Sequence, residues 1–170
     1  LAVALAIGAA AACRKAPAPP SSPIDYQAAD GSFRARLPGD WKADEAPVES
    51  RKAAFFGPAR GENAYSNLMG IYFHPAADPA AAARSYVSSQ TGRGPGLAPT
   101  LGGDDGALDA VDTRSVRDVH SGRERKETVR IVAVVVPGGF YSLEQTWPSD
   151  QAPDPAFNEL VRTFQPAATR

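Results

Sequence analysis

The sequence predicts an α+β fold in which an antiparallel β-sheet is sandwiched between helices, an α/β/α arrangement. Three observations carry this. Residues 126–147 (KETVRIVAVVVPGGFYSLEQTW) read as two strands joined at Pro137-Gly138-Gly139, a hairpin connection between β-branched and aromatic runs. The first of these strands places Val129, Ile131, Ala133 and Val135 on one face and Val132, Val134 and Val136 on the other. A strand apolar on both faces belongs inside a sheet covered on both sides. Two helical segments supply that cover, each opening on an Asp-Pro pair, Asp78-Pro79 and Asp154-Pro155.

Taken in order, residues 1–12 (LAVALAIGAAAA) form an uncharged apolar run. Twelve helical residues span about 18 Å, short of a bilayer core of about 30 Å. The length suits the apolar region of a secretory signal, here without a basic start or an initiator Met. Its end, Ala10-Ala11-Ala12-Cys13, resembles the lipobox of bacterial lipoproteins, with Ala where that motif usually has Leu. The resemblance implies that Cys13 is lipidated and becomes the mature N-terminus. A free cysteine after an ordinary signal is the alternative. Pro17, Pro19, Pro20 and Pro23 make residues 13–23 an extended tether, and Arg14 and Lys15 would lie beside lipid headgroups. Arg at the second mature position does not look like the Asp-type signal for inner-membrane retention.

One globular domain is expected over 24–170. Residues 24–27 and 32–37 are strand candidates around an Asp30-Gly31 turn, with Phe33 and Leu37 on one face, and Leu37-Pro38-Gly39-Asp40-Trp41 ends the second. Strands follow at 53–56 and 67–73. The first helix, 78–90, carries Ala80, Ala83, Tyr86, Val87 and Gln90 as its inward stripe. Residues 91–107 hold six glycines and two prolines, a long connection that is either a functional loop or an insertion without fixed structure. Residues 108–119 read as a charged edge strand. After the hairpin, Phe157, Leu160, Val161 and Phe164 fall at helical spacing, and Pro166 ends that helix.

The element order and two short stretches, residues 33–41 ending in Leu37-Pro38-Gly39-Asp40-Trp41 and the closing Tyr141-Ser142-Leu143 with Phe157, Leu160, Val161, Thr163 and Phe164, resemble the PsbP-like superfamily. That group includes photosystem II extrinsic subunits, a Ran-binding nuclear import factor and small bacterial lipoproteins of the DcrB kind. The resemblance implies the sandwich and a binding or assembly role, and it transfers no active-site residue.

The chemistry-bearing residues are few. Net charge is −1, which leaves no basic footprint for nucleic acid, and one cysteine excludes an intrachain disulfide and a cysteine-rich zinc site. His74 and His120 lack ligand-like spacing, and no GxSxG elbow is present. Gly92-Arg93-Gly94-Pro95-Gly96 lacks the Lys-Ser/Thr of a phosphate loop, and Asp104 and Asp105 lack EF-hand spacing. Arg123, Arg125 and Lys126 are offset by Glu124 and Glu127, and Trp41 and Trp147 suit a core. No metal, cofactor or catalytic residue is assigned. The expectation is a lipid-anchored protein of the bacterial cell envelope, at the outer membrane facing the periplasm. It would act as a non-catalytic binding or assembly module, with an envelope protein as partner and no nucleic acid. Arg93, Asp104 and Asp105 on the glycine-rich loop are the candidate contacts. An envelope enzyme with scattered site residues and a structural component without a ligand are the alternatives.

Overall fold

A computed structural model describes residues 22–44, 50–57, 68–92, 94, 96–97, 107–117 and 122–167. Cys13, Arg93, Asp104, Asp105 and His120 lie outside the described residues. The strands are β1 (Pro23–Gln27), β2 (Phe33–Pro38), β3 (Lys42–Asp44), β4 (Arg51–Phe56), β5 (Leu68–Pro75), β6 (Gly96–Leu97), β7 (Ala107–Arg117), β8 (Glu124–Val136), β9 (Gly139–Pro148) and β10 (Gln165–Pro166). The helices are α1 (Pro79–Thr91), between β5 and β6, and α2 (Ala156–Thr163), between β9 and β10.

The strand that is apolar on both faces, β8, sits inside an antiparallel seven-stranded sheet of order β3-β4-β5-β9-β8-β7-β6. Its Val129, Ile131 and Ala133 pack with Ala83 and Val87 of α1, while Val132 and Val134 pack with Phe157, Leu160 and Val161 of α2. One helix on each face is therefore what the sequence predicts and what the structure contains. The hairpin turns more tightly than a three-residue connection, because Val136 already pairs with Gly139. Proline fixes φ at the first turn residue, and Gly138 follows at φ +82°. Gly139 is then a strand residue pressed on the His74 carbonyl, where any Cβ would collide.

The layer on the α2 face differs from expectation. It holds α2 together with a second, three-stranded sheet of order β1-β2-β10, rather than a helix alone. The pattern FRARL alternates cleanly, so Phe33, Ala35 and Leu37 are buried while Arg34 and Arg36 face water. Phe33 meets Phe164 and Tyr141 at ring-centroid distances of 5.5 and 6.4 Å. Each such aromatic withdraws enough apolar surface to contribute about 2–3 kcal/mol. Backbone pairing of Gln165 and Pro166 with Arg34 and Phe33 completes the small sheet. A two-residue strand leaves too little pattern to read in a sequence.

Local departures have local causes. In α1 the inward residues are Ala83, Val87 and Thr91, and Gln90 is exposed. Thr91 satisfies its hydroxyl by donating to the Val87 carbonyl at 2.7 Å, which lets it be buried. Asp78 caps α1 as predicted, accepting from the Ala81 N–H. At α2 the Asp154 carboxylate accepts instead from the Ala156 N–H, and Pro155 takes the cap position without a side-chain bond. Part of the glycine-rich connection is β6, which pairs with Leu108 and Asp109 and so covers one end of β7. On β9, Ser142 is fully buried because that face lies under α1 rather than water.

Because Phe157 and Leu160 are 1% and 0% exposed, truncating either to alanine is expected to cost about 2–5 kcal/mol in denaturant melts. Lys126→Ala, at an exposed position, is expected to change stability by about 0.5 kcal/mol or less. Equal effects at the buried and exposed positions would contradict the packing.

Candidate functional site

Two side-chain groupings stand out, and the sequence announces neither. The first lies on the α1 face where β5, β9 and α1 meet. The β5–β9 register sets Tyr72 opposite Ser142 and His74 opposite Phe140. Alternation then sends His74, Ser142 and Glu144 to one face. Tyr86 of α1 donates to Glu144 Oε1 at 2.6 Å, and Ser142 donates to the same oxygen at 2.8 Å. His74 Nε2 lies 3.0 Å from Ser142 Oγ. Serine has one proton and gives it to the carboxylate, so the imidazole meets the Oγ as an N–H donor.

That proton order matters chemically. A serine nucleophile needs a histidine that accepts its proton, whereas here the histidine donates. Ser142 is also fully buried. The group is a brace that ties β5, β9 and α1, with His74 stacked on Phe140 at 4.6 Å and against Tyr86 at 4.5 Å. Burial holds the His74 pKa below its ordinary value, opposed by the Glu144 charge. Burial and then the same charge push Tyr72 and Tyr86 upward.

The second grouping is a groove of about 580 Å³ on the outer face of the three-stranded sheet. Arg34 and Arg36 of β2 and Arg162 of α2 line it, together with Asp25, Gln27, Thr163 and Gln165. Thr163 Oγ1 accepts from the Arg36 N–H at 2.8 Å and so fixes the end of α2 to β2. Arg36 is paired with Asp25 at 2.7 Å and Arg162 with Glu159 at 2.6 Å. Arg34 has no acidic partner among the described residues. Both ion pairs are open to solvent and screened by it, so an incoming carboxylate can re-engage either guanidinium at little loss. The groove is suited to recognising negative, hydrogen-bond-accepting groups.

The remaining candidates settle simply. Trp41 and Trp147 are 8% and 7% exposed and belong to the interior. Arg125 is held by Glu127 at 2.6 Å. Among the described residues no three His, Cys, Asp or Glu side chains converge on a metal site, and no helix is long and apolar enough to cross a membrane. The arginines of FRARL were visible as an alternation, but Arg162 joins them only through the docking of α2. His74, Ser142 and Glu144 were hidden because their meeting depends on strand register.

The fold and its surfaces define an α+β sandwich, with α1 on one face of the main sheet and α2 plus a small sheet on the other. No protein-family model matches the chain, and no curated protein matches it in sequence. Solved structures share the architecture. One is the Ran-binding protein Mog1p of Saccharomyces cerevisiae, at TM-score 0.57 and 10% identity, covering 87% of this chain and 97% of that one. A crystal structure from Bacteroides thetaiotaomicron matches at TM-score 0.58 and 13% identity over 86% of this chain. The chain spans 48% of that structure's length. The solution structure of cyanobacterial PsbP (CyanoP) from Synechocystis aligns less closely, at TM-score 0.45 and 8% identity, covering 89% of this chain and 96% of that one. At these identities the likeness to the first two is one of fold.

The brace predicts a pH dependence. His74 has a folded pKa below its ordinary 6.5, so below that pH the unfolded chain takes up a proton that the folded chain resists. Stability from this residue is present above pH 6.5 and lost as pH falls through the folded value. Urea melts at pH values of about 7.5 and 5 are expected to show a smaller difference for His74→Asn than for the unaltered protein. An undiminished difference would assign the acid sensitivity elsewhere.

Proposed function

We propose that this chain is a non-catalytic binding module of the bacterial cell envelope, anchored by a lipid on Cys13. It takes an acidic segment of an envelope protein into the Arg34–Arg36–Arg162 groove. The observation that carries the reading is the convergence of three guanidiniums on one open groove, one of them without an acidic partner among the described residues. Mog1p, of which the chain covers 97%, is by its description a Ran-binding protein, which supports protein binding on this architecture. The anchor follows from the apolar run that ends at the sole cysteine. The proline-rich stretch after Cys13 would serve as the tether between the anchor and the domain at the periplasmic face of the outer membrane.

The test has two separable parts. For the anchor, Cys13→Ser in a native host is expected to abolish palmitate incorporation and release the protein from membranes. Unchanged labelling would end that part alone. For the groove, affinity capture from native membranes is compared between the unaltered protein and Arg34→Glu/Arg162→Glu, with Arg84→Glu on the exposed side of α1 as control. Captured partners are expected to be lost from the groove variant, retained by the control, and eluted by salt. An unchanged partner list would overturn the groove. Loss on replacing Arg93, Asp104 and Asp105 instead would move the contact to the glycine-rich loop.

A further inference from the structure

The outer edge of β7 is mostly without a neighbouring strand among the described residues. On its inner side β7 pairs with β8 along all of Ala107–Arg117. On its outer side β6 pairs only with Leu108 and Asp109, and no other described strand follows. From Ala110 onward no described strand pairs with this side, where alternate residues point their N–H and C=O groups outward. Val111 is 45% exposed, and Thr113, Arg114 and Ser115 are exposed as well. Proline and lysine, which commonly blunt such edges, are absent from ALDAVDTRSVR.

The residues along this edge form a self-complementary series. In an antiparallel pairing of two identical strands about a two-fold axis normal to the sheet, the axis passes through a residue, since opposed side chains must share a face. With the axis at Thr113, Asp112 of each copy lies opposite Arg114 of the other. Val111 then meets Ser115, and Ala110 meets Val116. The neighbouring two-fold registers place Asp112 against Asp112, or Arg114 against Arg114, and are repelled. Pairing ends at Ala110 on one side because β6 occupies the edge beyond it. Within its own sheet Arg114 stands opposite Glu127, but Glu127 is engaged by Arg125 at 2.6 Å. Carboxylates accept several hydrogen bonds, so Asp112 can bind Arg114 of a second copy while keeping its other contacts.

We propose that two copies of this chain associate through β7, antiparallel across a two-fold axis at Thr113, to form one continuous sheet. The partner is a second copy because the charge order along the edge, Asp112 before Thr113 and Arg114 after it, complements its own reverse. The small interface makes the dimer weak in free solution. Confinement on a shared membrane would raise the effective concentration. The proposal does not depend on the arginine groove, which lies on the outer face of the other sheet.

The test uses the full chain carrying Cys13→Ser, so that no other thiol interferes. Sedimentation equilibrium up to roughly 1 mM protein is expected to show a monomer–dimer equilibrium. Arg114→Asp sets Asp against Asp twice and is expected to weaken the dimer about 10-fold or more. Adding Asp112→Arg to that variant restores opposite charges and is expected to restore the dimer. Independently, Thr113→Cys is expected to form an intermolecular disulfide on mild oxidation, and Ser115→Cys, which faces Val111, is not. A chain that stays monomeric and does not cross-link at position 113 overturns the proposal. That would be the result if the edge receives a strand from another protein. Failure of the charge-swapped double variant to recover the dimer, with its fold intact by circular dichroism, overturns the register.

Discussion

Everything in this architecture depends on burying both faces of β8. Val132 is 0% exposed on one side and Ala133 is 0% exposed on the other, so neither face tolerates water. A lone sheet cannot do this, since one face would stay open. Two separate covers are needed, and the chain supplies them from different places: α1 from before the hairpin, α2 and the small sheet from both ends. The closing helix and the opening strands must therefore meet, and they do so where Arg36 N–H bonds Thr163 Oγ1. The groove is a by-product of that meeting. Its arginines come from β2 and from α2, brought together because both elements cover one apolar face.

The two covers differ in chemistry, and the difference explains what each surface can do. The α2 side is an aromatic interior in which Phe33, Tyr141 and Phe164 pack together, while polarity is displaced to the outside of the small sheet. That outside is where charged ligands can be met without desolvating the core. The α1 side admits polar groups beneath the helix edge, and they are satisfied internally. Glu144 Oε1 receives both Tyr86 and Ser142, which spends the hydrogen-bonding capacity of the group on structure. A cluster of Ser, His and Glu side chains thus reads as a brace once the direction of each proton is followed.

Residues and spacing alone determined a good deal. Alternation in 126–136 required a two-faced strand, Pro137-Gly138 required the turn, and Phe157, Leu160 and Val161 required a helix packed by that face; that helix stops at Thr163, and Phe164, expected at its end, is extended because the chain turns there into β10. These signals are legible because they are local and periodic: each depends on side-chain direction within one element. What the tertiary structure decided is non-periodic and long-range. That the cover on the α2 face includes a second sheet depends on two-residue pairing at Gln165 and Pro166 with β2, too short for any pattern. That His74 meets Ser142 depends on strands 68 residues apart falling into one register, and that Arg162 joins Arg34 and Arg36 depends on how α2 docks. Local sequence sets which face of an element is apolar; only packing decides which polar faces are left side by side, because polar groups satisfied by water exert little preference for one neighbour over another.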